Sequence, residues 1–474
     1  MAATTLSNPH EVTTDIPPRL DRLPWSRWHL RMAFALGITF LLDGLEGGVG
    51  GSLAGALKST QALHFSDAQL GLASTGYLLG TVLGALGFGY LADRYGRKSL
   101  FTWTLIFYVC ATAATALSWN LWTFMLCRTL TGAGIGGEYT AINSAIDELI
   151  PARVRGRVNL FIGSSFWVGV ILGSLIAVGF LSDRMFGLRL GWRLAFLSGL
   201  PIAAAVLYLR RHIPESPRWL LTHRRDTEAE EVLQTIEREV EAESGPLPVE
   251  HRTVSVLRRE KDPIRSLGVL LEPRYRGRAM LCMVMVMAQS FFYNSVFFSS
   301  SLILLRFYGM SASRAGLLFL PLAVTNFVGP LLLGKLVDTV GRRVMIAINF
   351  ALAGLALLGS NLLFLHGSLT MYSQVAWWAV AFFFAANAAG SAYLSTSELF
   401  PQQIRASAIA VFYGFGTLFA GVLGPTIFGA LLNRGAREPI FWGFMASAAV
   451  MLAAGFAQAV WGVAAEGKSL EEIV

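Results

Sequence analysis

The sequence predicts an all-α membrane protein in which twelve transmembrane helices form two pseudo-symmetric six-helix bundles. First, charged residues make up 14% of the 474-residue chain and hydrophobic residues 54%, whereas typical soluble proteins are about one quarter charged. Second, twelve apolar runs each reach the roughly 20 residues that an α-helix needs to cross a bilayer. Third, a set of charged loop motifs occurs twice, with the copies about 250 residues apart. Such duplication is typical of two homologous helical bundles.

The predicted spans fall into two groups of six, separated by one long polar stretch. They are 31–55, 70–92, 99–118, 121–147, 158–181 and 192–209, then 277–305, 313–336, 344–365, 371–396, 404–432 and 440–464. We divide the chain into a tail (1–30), a first bundle (31–209), a central loop (210–276), a second bundle (277–464) and a C-terminal tail (465–474). In the central loop, Asp226 and the acids after it predict a helix. We interpret this loop as a linker between bundles, with a regulatory docking site as the alternative.

Basic residues are distributed unequally between the two sides of the predicted bundles. Of the 38 lysines and arginines, 29 fall on the side of the N-terminal tail, eight on the opposite side, and Arg128 inside the fourth span. Loops rich in these residues stay in the cytoplasm, so we expect both termini there and the protein in the cytoplasmic membrane. Residues 1–29 lack the apolar core and cleavage site of a signal peptide.

Composition also argues against several classes of site. The three cysteines (Cys110, Cys127 and Cys282) lie within apolar runs, and the sequence has no metal-ligand spacing. We therefore expect no metal, no cofactor and no disulfide framework. A nucleophile elbow and a phosphate-binding loop are missing, so enzyme activity is not expected. The basic residues form no cluster typical of nucleic-acid binding.

Two charged motifs are repeated between the spans. The first reads Gly89-x-x-x-Asp93-x-x-Gly96-Arg97-Lys98 and recurs as Gly334-x-x-x-Asp338-x-x-Gly341-Arg342-Arg343. The second reads Glu148-x-x-Pro151-x-x-x-Arg155 and recurs as Glu398-x-x-Pro401-x-x-x-Arg405. The glycine that precedes each basic pair permits a tight turn.

These motifs place acids and bases together at one end of each bundle. In each bundle we expect the two arginines to pair with the glutamate, and the aspartate to accept hydrogen bonds from a helix N-terminus in the opposite bundle. The predicted cytoplasmic gate therefore consists of Asp93, Arg97, Glu148, Arg155, Asp338, Arg342, Glu398 and Arg405. A static charge patch that only fixes orientation is the alternative interpretation.

The doubled motifs, together with Arg128-x-x-x-Gly132-x-Gly134-x-Gly136, resemble the signatures of the major facilitator superfamily over residues 30–465. The resemblance implies a transporter whose charge clusters latch the cytoplasmic side and break when that side opens. Pro214-Glu-Ser-Pro-Arg-Trp-Leu-Leu221 resembles the sugar-porter branches. Asp43-Gly-Leu-Glu46 resembles the Asp-Gly-x-Asp of aromatic-acid and related metabolite:proton symporters. The tenth span lacks the Gly-Pro…Trp of sugar porters and has Tyr393 at the tryptophan position, which favours a metabolite carrier.

Four charged residues lie inside predicted spans of the first bundle: Asp43, Glu46, Arg128 and Glu138. Charges within a membrane span are costly and mark functional sites by default. Glu46 and Arg128 lie at similar depth, so we expect them to pair. All four are predicted to take part in proton coupling, with Asp43 and Glu46 as leading carriers; a permanent structural salt bridge is the alternative. For Glu138, proton exit and helix packing remain equally open.

The second bundle offers neutral polar groups instead. The predicted substrate-binding residues are Gln289, Tyr293, Asn294, Asn387, Ser391 and Tyr393, together with Arg128, which would attract an anion when a partner carboxylate is protonated. Buried amides are well suited to orienting a polar ligand, although each could instead join two helices. Gln289 and Asn294 match the Gln-x4-Asn spacing of sugar porters.

Taken with the resemblance, these residues predict a secondary active transporter with alternating access and no enzymatic activity. We expect it to move a small polar metabolite, with an organic acid as the favoured class, inward with a proton. The alternatives are a sugar or polyol porter, a proton-driven exporter and, more remotely, a membrane sensor without net transport. The expected partners are the substrate, protons and the lipid bilayer, with the protein as a monomer.

Overall fold

The computed structural model of the protein describes residues 11–182, 184–211, 213–257, 268–310, 319–401, 404–468 and 470. Thirteen helices of these residues make up twelve spans, because the sixth span consists of two helices. In the first bundle they are Arg27–Ser52, Asp67–Tyr95, Arg97–Ala116, Leu121–Leu149, Arg155–Leu181 and the pair Gly187–Leu197 and Leu200–Arg210. In the second they are Arg276–Tyr308, Phe319–Thr339, Arg342–Leu365, Met371–Glu398, Arg405–Asn433 and Arg437–Trp461. Ten of these described segments are long and apolar enough to cross a membrane.

The two bundles repeat the same packing. In the first bundle the second span packs on the fourth, the first on the fifth and the third on the sixth; in the second bundle the eighth packs on the tenth, the seventh on the eleventh and the ninth on the twelfth. The bundles meet where the fifth span packs on the eighth and the second on the eleventh. The twelve-helix, two-bundle fold predicted from the repeated motifs is therefore confirmed.

The sixth span differs from its prediction in a way that matters for the site. It is interrupted at Ser198 and Gly199, because Pro201 occupies the first turn of its second half and cannot donate to the preceding turn. The helix then continues to Arg210, one residue beyond the predicted end at 209. Arg210 is consequently a buried residue of the bundle, with 4% of its surface exposed, and not a loop cation.

Glycine allows the second and fourth spans to approach closely. A Cβ at Gly84 would overlap the backbone of Ala133 on the fourth span, whereas a Cβ at Gly87 meets open space. Small residues at helix contacts permit such an approach within a membrane. Because the obstacle at Gly84 is backbone, a side chain there must push the two helices apart.

We therefore expect Gly84→Val to destabilise the protein by about 1–3 kcal/mol, the usual cost of overpacking. Gly87→Val, on the same helix, serves as the matched control and should leave the melting temperature nearly unchanged. Thermal unfolding of both variants in detergent measures the difference. Equal melting temperatures would contradict the close approach of these helices.

The N-terminal segment and the central loop gather at one face of the molecule, which we call the charged face because the repeated acid and arginine motifs lie there. Short helices cover it at Ile16–Arg22, Pro217–Thr222 and Asp226–Ser244. The last of these is the helix predicted from Asp226 in the central loop. Strands Glu11–Thr14 and Val254–Leu257 pair antiparallel, so the N-terminal segment is joined to the end of the central loop.

Ion pairs hold the N-terminal segment on the central helix. Arg19 donates to Glu237 at 2.7 Å and to Glu230 at 3.0 Å, and Arg22 pairs with Glu237 at 2.6 Å. Burial by itself raises the pKa of Glu237, but the hydrogen bonds from Arg19 and Arg22 outweigh it and lower that pKa. This contribution to stability is therefore present at neutral pH and is lost as the pH falls through the pKa of Glu237.

Candidate functional site

A cavity of about 350 Å³ lies between the bundles, in the range of sites that hold small molecules. Eight spans line it: the first, second, fourth and fifth from one bundle and the seventh, eighth, tenth and eleventh from the other. On the fourth span, Ile135, Tyr139 and Asn143 are spaced four residues apart and so share the helix face that meets the cavity. Both bundles therefore contribute side chains to this cavity.

Aromatic rings form much of the cavity wall. The aromatic lining residues are Phe40, Tyr77, Tyr139, Phe166, Trp167, Tyr293, Tyr393 and Tyr413. Tyr139 of the first bundle stacks on Tyr413 of the second, with ring centroids 4.6 Å apart, and Trp167 stacks on Tyr293 at 6.0 Å. Rings from opposite bundles thus contact each other around the cavity, and a planar ligand can stack against them. The sequence prediction named two of the tyrosines, Tyr293 and Tyr393, but missed Tyr77, Tyr139 and Tyr413.

Three of the second-bundle residues predicted to bind substrate line the cavity: Gln289, Tyr293 and Tyr393. Gln289 Nε2 donates to the Tyr393 hydroxyl at 2.9 Å, which links the seventh and tenth spans. The Tyr293 hydroxyl donates to Asn326 Oδ1 on the eighth span. These polar side chains are therefore oriented before any ligand arrives.

The other three predicted second-bundle residues do not belong to the lining of this cavity. Asn294 donates to the Ser290 carbonyl at 2.8 Å, and Asn387 donates to the Phe383 carbonyl at 3.1 Å. Each of these bonds lies within its own helix, the first in the seventh span and the second in the tenth. Ser391 is fully buried in the tenth span. Asn143 and Asn159, on the fourth and fifth spans, are amides of the lining that were not predicted as site residues.

Asp43 is the one carboxyl among the described lining residues, and that lining contains no arginine, lysine or histidine. Only 3% of its surface is exposed. No described residue donates a hydrogen bond to its Oδ1 atom, and no described cation lies within ion-pair distance. Asp43 therefore presents an unpaired carboxyl group to the cavity.

Glu46 and Arg128 form the predicted ion pair between the first and fourth spans. Both are buried, and the Arg128 guanidinium also lies over the ring of Tyr77, with its Cζ 4.4 Å from the ring centroid. Neither side chain belongs to the lining of the cavity. Arg128 is thus held by Glu46 behind the cavity wall in this conformation.

Glu138 has a partner that the sequence prediction missed. Arg210, from the end of the sixth span, forms an ion pair with Glu138 and donates to Thr39 Oγ1 at 3.3 Å. It also donates to the Phe101 carbonyl, so it joins the first, third, fourth and sixth spans. In the sequence, the three acids Asp43, Glu46 and Glu138 lie inside predicted spans, and Arg128 is the one base placed there with them. This imbalance could have indicated a second buried cation.

At the charged face, Glu398 binds arginines from both bundles. Its carboxylate lies 3.4 Å from Arg155 of the first bundle and 2.9 Å from Arg342 of the second. Arg155 is completely buried and also reaches Asp21 of the N-terminal segment at 3.4 Å. Arg155 was expected to pair with Glu148 of its own bundle. It pairs with Glu398 of the opposite bundle, because the closed interface brings that acid within reach.

Asp338 accepts two backbone hydrogen bonds from the start of the fifth span, from Gly156 at 3.0 Å and Arg157 at 2.8 Å. This is the contact with a helix N-terminus of the opposite bundle that the motif predicted. The twin positions of the first bundle, Asp93 and Arg97, have side chains outside the described part of the molecule. The turns match: Gly96 and Gly341 have φ angles of +95° and +116°, which only glycine adopts readily.

Two further members of the predicted gate, Glu148 and Arg405, are buried at the same face. Asp147, next to Glu148, is fully buried and lies within electrostatic range of Arg405 and Arg155. The repeat gives Ser397 as the twin of Asp147, 250 positions later (397 − 147). The first bundle thus carries an acid at the gate that the second bundle lacks.

Comparison with known proteins agrees with this architecture. Residues 50–474 match the family described as "Sugar (and other) transporter". The niacin transporter NiaP of Acinetobacter baylyi is 28% identical over 461 residues, which cover 97% of this chain and 99% of that protein. The 4-hydroxybenzoate transporter PcaK of Pseudomonas putida is 28% identical and covers 89% of this chain and 90% of its own length.

A solved structure shares the fold. The proton:xylose symporter XylE bound to 6-bromo-6-deoxy-D-glucose superimposes with a TM-score of 0.75 at 20% identity, over 94% of this chain and 98% of that one. The relatives named for an activity are transporters and not enzymes. The chain therefore belongs to the sugar (and other) transporter family, and it is a multi-pass membrane transporter of the major facilitator superfamily.

Proposed function

We propose that the protein carries a small, ring-bearing organic acid into the cell together with a proton, by alternating access to the cavity between the bundles. The observation that carries this proposal is the unpaired carboxyl group of Asp43 in the cavity wall. Glu46 is paired with Arg128 and Glu138 with Arg210, so three acids face two arginines. The remaining negative charge falls on Asp43, and such a charge inside a membrane is costly unless it takes up a proton.

The position of Asp43 gives the order of binding. When Asp43 is ionised, its negative charge repels an organic anion from the cavity, because the described lining offers no cation to offset it. Protonation removes this repulsion. A proton therefore binds first, the anion second, and both leave together after the bundles change their orientation.

Ring recognition follows from the aromatic wall. Tyr139 and Tyr413 can stack on a planar ligand, and tyrosine hydroxyls and amide groups of the lining can donate to carboxylate oxygens. Niacin and 4-hydroxybenzoate, for which two of the relatives are named, are both ring-bearing carboxylic acids. They are accordingly the first compounds to test on this protein.

For transport direction, we propose that the charged face lies in the cytoplasm, where Lys and Arg are normally retained. The closed contacts of Glu398 and Asp338 would then latch the cytoplasmic side. On this assignment the protein takes up substrate from outside and opens inward when these contacts break. We further propose that it acts as a monomer.

A second candidate is proton-driven export of an organic cation. An unpaired carboxylate surrounded by aromatic rings is also the arrangement that binds cationic ligands. Such a ligand would compete with the proton for Asp43, so the protein would exchange one for the other. If the substrate were a sugar or polyol, proton movement would have to be coupled to a ligand that carries no charge.

The three possibilities are separated by uptake into proteoliposomes that contain the purified protein. We expect an inward proton gradient to drive accumulation of niacin or 4-hydroxybenzoate above equilibrium, and a protonophore to abolish it. Protein-free liposomes control for passive entry of the neutral acid. Accumulation of an N-methylpyridinium cation under an outward gradient would favour exchange, and xylose uptake would favour a sugar porter. Acid uptake that ignores the gradient would refute the proposal.

A further inference from the structure

The pair of Glu138 and Arg210 lies behind the cavity wall and has no part in substrate contact, yet it is buried within the first bundle. Arg210 has 4% of its surface exposed and Glu138 none. Burying an ion pair in this way gives little stability over well-packed apolar residues, because both charges must lose their hydration. We therefore expect the pair to have a role beyond packing.

Arg210 is placed next to the coupling carboxyl. Its hydrogen bond to Thr39 Oγ1, at 3.3 Å, holds it one helical turn from Asp43 on the same face of the first span. Arg210 is also the described cation whose charge acts on Asp43. The guanidinium thus contacts Glu138 and Thr39 and influences Asp43 through its charge, without forming an ion pair with it.

The other ionisable groups around Asp43 offer no equivalent charge. They are Glu46 on its own helix and the hydroxyls of Tyr77, Tyr108 and Tyr413 on the second, third and eleventh spans. Glu46 is already neutralised by Arg128. Because Arg128 is engaged with Glu46, Arg210 is the described cation that remains placed to offset charge on Asp43.

We propose that Arg210 is a positioning residue for the coupling step: Glu138 holds it beside Asp43, and the two carboxyl groups share it as their counter-charge. When Asp43 is protonated, Arg210 stays on Glu138. When Asp43 loses its proton, Arg210 turns toward it and partly offsets the new negative charge, although the two carboxylates and the one arginine still carry a net negative charge. This inference rests on the proposed role of Asp43 in proton coupling.

The proposal predicts opposite effects for the two partners. Removing the cation in Arg210→Gln disfavours ionised Asp43, so transport should persist to higher pH, with its midpoint raised by about one pH unit. Removing the competing acid in Glu138→Gln leaves Arg210 to Asp43 alone, so the midpoint should fall by about one unit. Arg210→Lys keeps the charge and should stay near the wild-type midpoint. Proton-driven uptake measured as a function of pH gives these values.

The double variant Glu138→Gln/Arg210→Gln tests whether Glu138 acts through Arg210. A buried Glu138 without its counter-charge takes up a proton, so its replacement by Gln should add nothing, and the double variant should match Arg210→Gln. A return to the wild-type midpoint would show a direct effect of Glu138 on Asp43 and overturn the sharing of Arg210. If Arg210→Gln does not fold, two other results test the proposal. They are the lower pH midpoint expected for Glu138→Gln and the nearly unchanged midpoint expected for Arg210→Lys.

A merely structural pair would lower the maximal rate in every variant and leave all midpoints equal, which would also refute the inference. That outcome is distinct from failure of the proposed function. Loss of proton coupling altogether would appear in the wild-type protein, as acid uptake that does not respond to the gradient.

Discussion

Replacing Asp43 by Asn should abolish proton-driven accumulation while leaving substrate exchange intact. A gradient of two pH units can sustain at most about 100-fold accumulation with one proton per substrate, since each unit is worth about 1.4 kcal/mol. Without a carboxyl group at this position the cavity cannot carry the proton, and accumulation should fall to about onefold. Counterflow of labelled against unlabelled substrate needs no net proton movement and should continue.

This variant should still fold, because Asp43 leaves no partner unpaired when it is replaced. Glu46→Gln differs in this respect, since it strands the buried guanidinium of Arg128 and should lower stability. Asp226→Asn, the same exchange at an exposed position of the central loop, is the matched control and should transport normally. If the Asp43→Asn variant accumulates substrate like the wild type, Asp43 has no part in the coupling mechanism.

A disulfide across the charged face should lock the transporter and stop transport. A Cβ at Gly334 of the eighth span would lie 3.7 Å from the Cβ of Arg157 on the fifth, and disulfides have Cβ atoms about 3.8 Å apart. Gly334→Cys with Arg157→Cys, in a background without Cys110, Cys127 and Cys282, should therefore cross-link on oxidation. We expect uptake to fall by at least about tenfold, because the latch must open in every cycle, and to recover on reduction.

The same cross-link measures the contribution of Glu398. Breaking a buried ion pair costs about 3–5 kcal/mol, and Glu398 pairs with both Arg155 and Arg342. Glu398→Gln should consequently reduce the closed population and slow disulfide formation. Gly163→Cys with Gly334→Cys is the control, since a Cβ at Gly163 has open space around it. Full transport by the oxidised double-cysteine variant of Gly334 and Arg157 would show that this face does not open.

Much of the fold was predictable because bilayer crossing imposes a strong constraint on sequence. A helix that crosses lipid must be apolar over about 20 residues, so the twelve spans were visible as composition alone. The motifs around Asp93 and Glu148 recur around Asp338 and Glu398, and this repeat indicated the two-bundle arrangement. The break in the sixth span was less visible, since its apolar composition continues through Pro201.

A side-chain contact was predicted correctly for two charged residues inside the spans, where an unpaired charge is costly. Glu46 and Arg128 were paired correctly, because a charge inside a membrane needs an opposite charge at the same depth. Tyr139 and Tyr413 were missed, because an aromatic ring inside a span usually serves packing. Nothing in the local sequence distinguishes a packing ring from a ring that binds a ligand. Their function arises only when rings from opposite bundles meet at 4.6 Å.

The sequence by itself determined the class of protein, its twelve spans, its internal repeat and the placement of the mid-span charges in the first bundle. These properties depend on the composition of single helices and on local motifs. Only the tertiary structure decided that Arg155 reaches Glu398, that Arg210 turns inward to Glu138, and that Asp43 alone remains unpaired in the cavity. Each of these depends on which helices pack together and on the direction in which a side chain points across their contact.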